Sequence, residues 1–332
     1  MLSVAVIGLG VGEQHALAYH RSGQCKIRWL YDLNDTRIDE VAARLGEGSK
    51  AESPQTIFCD AAVDLVSIAS FDDMHFTQVM EALCASKHTF VEKPLCRSLE
   101  ELRTIKEAWE RSPSCHLMSN LVLRAAPVYR WLKEAVQTGE LGEVYAFDGD
   151  YLYGRLDKIT DGWRKNVKDY SVMQGGGVHL VDLMLWLTGQ RPAVVTAVGN
   201  RICTKGTEFR YDDFMSATFQ FPSGMIGQVT ANFGCVHRHH HVVRVFGTKA
   251  TFIYDDMGAR LHTTREPNNP AKVLDLSPLP ATKGDLIPAF VKSVLSGDDP
   301  SAQARHELNV ISACVAADRA MASSQALSIE YV

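Results

Sequence analysis

The chain has 332 residues with 46% hydrophobic content, enough for two domains with cores of their own and for folding without covalent staples. Its 34 basic and 39 acidic residues leave a net charge of −5, which excludes the single-sign field that recruits nucleic acid or an anionic membrane and leaves a small-molecule partner. Eight cysteines (Cys25, Cys59, Cys84, Cys96, Cys115, Cys203, Cys235 and Cys314) form no CxxC or similar close pair. They are read as reduced thiols, with neither a zinc site nor a disulfide framework, in a cytoplasmic protein. The N-terminus runs into a strand with no basic leader, and no apolar stretch approaches the roughly 20 residues of a membrane span.

From residue 2 to about 120, short apolar runs alternate with amphipathic stretches: VAVIG, a helix around HALAYHRSG, KIRWLYD, and a helix through DEVAARLG. TIFCD near 56–60 continues the series of apolar runs, followed by LVSIAS, a helix HFTQVMEALCAS, HTFVEK, a helix SLEELRTIKEAWERS and CHLMSN. This βαβ alternation predicts an α/β domain, residues 1–120, with a doubly wound parallel sheet. The remaining 121–332 open with a helix, APVYRWLKEAVQTGELG, and then turn mainly strand-like at 144–153, 193–200, 213–221, 225–234, 241–248 and 250–255. PSG at 222–224 and GTKA at 247–250 read as hairpin turns, and helices at about 285–296 and 304–323 close the chain. A second, α+β domain is expected there.

VAVIGLGVG places Gly8, Gly10 and Gly12 between a buried strand and a helix, the Rossmann context for dinucleotide binding. Gly8 permits a tight turn, Gly10 allows backbone approach to a pyrophosphate, and the loop including Leu9 and Val11 feeds the helix N-terminus. Asp32 ends the second strand 22 residues past Gly10, where a carboxylate accepts hydrogen bonds from ribose hydroxyls and repels a 2′-phosphate. NAD is therefore favoured, with NADP the alternative because Arg37 lies near. The bland reading of Asp32 is a helix-capping aspartate.

With EKPL at 92–95 and GGGVHLVDLMLWLTG at 175–189, this fingerprint resembles the glucose-fructose oxidoreductase, inositol 2-dehydrogenase and MocA (Gfo/Idh/MocA) family along essentially the whole chain. The resemblance implies an NAD(P)-dependent oxidoreductase of sugar-like carbinols whose second domain has a largely antiparallel open sheet that often carries oligomer contacts. It implies a cofactor shell that includes Ser70, His75, Glu92, Lys93 and Asn120. It makes Lys93 catalytic, binding the reacting oxygen, with His179 as a hydrogen-bonding partner and general base for the substrate hydroxyl. On residues alone, Lys93 is otherwise a solvated loop lysine and His179 a core histidine satisfied by Asp182.

The family pattern has an aspartate four residues before this histidine; here Gly175 stands in its place, and Tyr170 is the substitute candidate. The glycine loop is one residue shorter than usual, and the Thr-Pro-Asn after the fourth strand becomes Ser70, Phe71 and Asp72. Between 151 and 170, Tyr153, Arg155, Lys158, Trp163, Arg164 and Tyr170 interleave aromatic and basic side chains suited to an anionic sugar or sugar nucleotide, with the histidine run at 237–241 as a further contributor. That run has no zinc-ligand spacing, because a strand sends alternate side chains to opposite faces. A homodimer or homotetramer is expected. The competing functional readings are a non-enzymatic dinucleotide sensor and a glycosidase-like enzyme with tightly held NAD.

Overall fold

The structure is a computed structural model describing all residues, 1–332. The chain divides into two compact units, one of residues 1–122, 280–311 and 332, the other of residues 123–279 and 312–331.

The first unit alternates β1 (Leu2–Ile7), α1 (Gly12–Arg21), β2 (Cys25–Tyr31), α2 (Asp35–Leu45), β3 (Ser49–Lys50), α3 (Pro54–Cys59), β4 (Leu65–Ile68), α4 (His75–Cys84), β5 (His88–Val91), α5 (Leu99–Arg111) and β6 (Leu117–Ser119). Its six strands are parallel in the order β3-β2-β1-β4-β5-β6. β1 and β4 are buried almost throughout, as strands covered on both faces must be. The strand order reverses between β1 and β4, so the loops after these two strands meet at the switch point where open α/β sheets bind ligands. TIFCD is not a strand: Pro54 opens a helix there with its φ preset, and Ile57 and Phe58 are the buried residues of that single face. Local caps set other boundaries. Asn34 accepts from the Thr36 N–H at the start of α2, and Ser98 from the Glu101 N–H at the start of α5.

The second unit contains α6 (Pro127–Gln137), β7 (Val144–Leu152), α7 (Asp157–Thr160), α8 (Val178–Thr188), β8 (Val194–Asn200), β9 (Phe214–Gln220), β10 (Ile226–Asn232), β11 (His240–Gly247), β12 (Thr251–Asp255), β13 (Gly258–His262) and β14 (Lys272–Leu274). α9 (Ile287–Ser296) belongs to the first unit, α10 (Ser301–Ser323) runs from the first unit into the second, and β15 (Leu327–Ser328) ends the second. The sheet order is β14-β13-β12-β11-β7-β10-β9-β8-β15, antiparallel except for the β7–β10 pair. β13 and β14 were not anticipated, since GARLH and KVL lack the apolar density of the other strands and pair only as an extension of β12. α8 packs on the sheet through two glycine sites: a Cβ on Gly149 would lie 3.2 Å from Leu180, and one on Gly227 only 2.1 Å from the Met184 sulfur. No helix is long and apolar enough to cross a membrane.

Candidate active site

The glycine loop of the first unit is built by close backbone approach. Gly8 has φ +82°, and a Cβ there would lie 2.4 Å from the Ala69 carbonyl oxygen. Gly8→Ala is therefore expected to destabilise the protein by about 2 kcal/mol or more and to abolish NADH binding. A thermal melt and an NADH fluorescence titration read this, and parental affinity in the variant would overturn it. Gly10, in contrast, is exposed, and a Cβ there would meet nothing nearer than the Arg37 guanidinium at 3.8 Å. α1 starts at Gly12 with no side-chain cap from Val11; the Gln14 N–H closes a turn on the Val11 carbonyl at 2.9 Å, and the Gly12 and Glu13 N–H groups head the helix. This open, uncapped cradle fits a dinucleotide pyrophosphate.

Asp32 ties the loop to the second strand. It accepts from the Leu9 N–H at 2.6 Å and from the Asn34 N–H at 2.9 Å, with Arg37 3.9 Å away. The cap of α2 is Asn34, so Asp32 is not a helix cap. Its carboxylate borders the loop, where a ribose diol fits better than a 2′-phosphate.

Lys93 follows β5 at the carboxyl edge of the sheet and is half-buried. The segment carrying it is held on both sides. The Glu92 N–H donates to the Ile68 carbonyl, and the Pro94 carbonyl lies 2.7 Å from His75 Nδ1. His75 is wholly buried, with Nε2 3.2 Å from the Ser70 carbonyl. It therefore ties two loops together. Ser70 donates to Gln78 at 2.7 Å.

Asn120, also buried, donates to Glu92 at 2.7 Å and to the Lys283 carbonyl at 2.8 Å, so it orients the acid beside Lys93. A chain that the sequence reading did not include completes the arrangement: Ser67 Oγ lies 3.0 Å from His15 Nδ1, and His15 Nε2 lies 3.3 Å from Glu92. Burial pushes the Glu92 carboxyl up, but His15, Lys93 and Asn120 outweigh it and hold the group at about 2, ionised beside the lysine.

In the second unit α8 carries His179, 7% exposed, one turn past Gly175. Asp182 is fully buried and accepts from Arg124 Nε at 2.9 and 3.0 Å and from Nη2 at 2.5 Å. That carboxylate is thus engaged by a guanidinium. Trp186, one turn further along α8, has the Lys133 ammonium 5.6 Å from its ring centroid.

The glycines before α8 make room for tyrosines. A Cβ on Gly175 would lie 2.2 Å from the Tyr170 hydroxyl, and one on Gly176 2.3 Å from the Tyr151 ring. The Tyr170 hydroxyl therefore occupies the space that a side chain at 175 would need. Beneath this turn, Asp318 of α10 accepts from Ser171 Oγ at 2.6 Å and from the Gln174 amide at 2.8 Å.

Burial pushes the Asp318 carboxyl up to about 6, against the lowering effect of those two hydrogen bonds. The folded protein thus holds this proton more tightly than the unfolded chain does. Its contribution is fully present below about pH 4 and is lost as pH rises through about 6. Asp318→Asn is expected to remove that loss and to raise stability at about pH 8 by roughly 1–3 kcal/mol, with little change at about pH 4. Urea unfolding at both pH values checks the sign.

Of the expected substrate-side residues, Tyr153, Arg155, Trp163, Arg164 and Tyr170 do assemble. The Arg155 and Arg164 guanidiniums stand 5.8 and 5.9 Å from the Tyr153 ring centroid, and Arg164 also lies over Trp163 at 4.5 Å. Tyr153 and Tyr170 both pack on Phe233, at 4.6 and 6.4 Å. Lys158 does not join them: it is exposed on α7 with its ammonium 3.8 Å from Asp157.

The histidine run divides between two sides. His239 and His241 pack against Tyr151, whereas His237 and Arg238 bond Asp256, and His240 packs on Tyr254. Tyr151 was not among the expected substrate-side residues, although its period of two from Tyr153 marks it, whereas His239 and His241 belong to the histidine run expected to contribute.

The profile of the oxidoreductase family with an NAD-binding Rossmann fold matches residues 2–120, and that of the GFO/IDH/MocA C-terminal domain matches 129–253. The chain belongs to the Gfo/Idh/MocA family. As a member it is an oxidoreductase with an NAD-binding Rossmann domain. Among its family relatives, the myo-inositol 2-dehydrogenase of Thermotoga maritima is 23% identical over 100% of this chain and 99% of that protein. The levoglucosan dehydrogenase of Pseudarthrobacter phenanthrenivorans is 23% identical over 76% of this chain and 73% of that protein. Two family structures share the fold over nearly full length: a levoglucosan dehydrogenase in complex with NADH (TM-score 0.86, 21% identity, 100% of both chains) and the scyllo-inositol dehydrogenase of Lactobacillus casei (TM-score 0.80, 18% identity, 99% of both chains).

Proposed function

We propose that this enzyme passes a hydride between the carbinol carbon of a sugar-like substrate carrying an anionic group, an acidic sugar or sugar nucleotide, and NAD. The observation that carries the reading is the fixed presentation of Lys93 at the carboxyl edge of the sheet, between a backbone bond to β4 and the His75 contact to Pro94. Residues 1–120 hold the dinucleotide, through Gly8, Leu9, Gly10, Val11, Gly12 and Asp32. When bound, the nicotinamide supplies the hydride acceptor or donor.

Lys93 binds the reacting oxygen and stabilises the alkoxide character that develops on it, with Glu92 holding the ammonium in place. His179 accepts the hydroxyl proton. Tyr170 offers a hydroxyl where Gly175 offers no side chain, and Arg155 and Arg164 take the anionic group. The relatives named for myo-inositol and levoglucosan support a polyhydroxylated ring as substrate.

The test is to follow NADH and NADPH absorbance with a panel of sugars, cyclitols, uronic acids and nucleotide sugars. We expect turnover with NAD, fastest on an acidic member. Tight NADH binding with no turnover on any substrate would replace this reading with a dinucleotide sensor.

We also assign the protein to the cytoplasm, on its unpaired cysteines, and read residues 123–279 and 312–331, rather than the whole of 121–332, as the substrate and oligomerisation domain. The open sheet face, with Tyr145 53% and Val198 69% exposed, is taken as the contact between copies. A monomer mass in sedimentation equilibrium removes that last assignment.

A further inference from the structure

Oxidation of a carbinol sends one hydride to the dinucleotide and one proton to the protein, and that proton must reach solvent before the next turnover. His179, which receives it in the reading above, is 7% exposed. Its ring packs parallel to Tyr151 at 6.2 Å and edge-on to His241 at 6.4 Å. His241 is 5% exposed and stands 5.1 Å from His239, which is half-buried. Tyr151 touches both of these imidazoles at 5.2 Å. His241, in β11, and His239, just before the strand, face Tyr151, while His237, Arg238 and His240 turn to Asp256. The three imidazoles therefore form a row that begins at the buried His179 and ends at a residue reached by solvent.

We propose that His241 and His239 are a proton relay serving His179. This rests on the dehydrogenase reading. An imidazole accepts a proton on one nitrogen and releases one from the other, and centroid separations of 5.1 and 6.4 Å set each ring edge-on beside the next. The proton leaving the substrate hydroxyl passes to His179, then to His241 and His239, and finally to a buffer base; in reduction it travels the opposite way. No oxidant or second substrate is needed. The three side chains are not arranged as a metal-binding set.

The experiment uses the full-length enzyme with NAD and its best substrate, both saturating, in a dilute buffer without imidazole. The variants are His239→Phe and His241→Phe, which keep the ring packing, and His241→Gln as a second replacement. We expect kcat to fall about tenfold in each, the KM values for NAD and substrate to stay within about twofold, and added imidazole to restore most of the lost rate. The NADH burst of a single turnover should match the parent, because the first proton still has His179 to receive it. Unchanged kcat, a loss that imidazole does not restore, or a loss confined to KM overturns the relay. If the parent enzyme turns over no substrate in the panel, the dehydrogenase reading falls and the relay with it; an active parent with unaffected variants sinks the relay alone.

Discussion

Lys93→Met is expected to lower kcat by about three orders of magnitude or more while the Kd for NADH moves less than about threefold. The asymmetry follows from position. The loop that fits the pyrophosphate is made by Gly8, Gly10, Asp32 and the start of α1, none of which relies on the lysine side chain. The ammonium, by contrast, stands at the ligand edge of the sheet next to Glu92, whose carboxyl it helps to hold ionised. Methionine keeps the length and removes the charge. Lys93→Arg should rescue little, since a planar fork does not replace a point charge. Steady-state kinetics and an NADH titration decide it, and a kcat within about twofold of the parent takes Lys93 out of the mechanism.

Arg124→Met should cost about 3–5 kcal/mol of unfolding free energy. Arg124 is 7% exposed and Asp182 is fully buried, and the guanidinium meets both carboxylate oxygens. Removing the arginine strands a charge inside α8, two residues past Leu180, which packs on the sheet. The double variant Arg124→Met/Asp182→Leu should recover most of the loss, because two apolar side chains replace the pair without leaving a charge behind. Urea denaturation of the three proteins measures the cycle. A single-variant cost under about 1 kcal/mol would mean that the pair is solvated in solution.

The parts of the site that were legible in the sequence are those with short-range signatures. Gly8, Gly10 and Gly12 follow an apolar strand, Asp32 ends the next one, and Lys93 ends another before a proline. His75 and Asn120 stand out in the sequence only through the family resemblance, and each contacts a neighbouring segment from inside the core, His75 at the Pro94 carbonyl and Asn120 at Glu92. Lys158 looked equivalent to Arg155 and Arg164 in the text of the chain. Its place on α7 turns it to Asp157 instead. TIFCD has a strand's composition, and only the proline before it signals the helix.

The sequence by itself determined the alternating first domain and the dinucleotide loop, because period, turn chemistry and caps act over a few residues, while the roles expected of Lys93 and His179 came from the family resemblance. The tertiary structure alone decided the partners. Asp182 meets Arg124 across 58 positions and Asp318 meets Ser171 across 147, while Asn120 reaches the Lys283 carbonyl across 163. It also placed the Tyr170 hydroxyl in the space left by Gly175, and drew His239 and His241, not their neighbours, toward His179. Such contacts arise when distant segments pack to exclude water, and no local periodicity encodes which of them will meet.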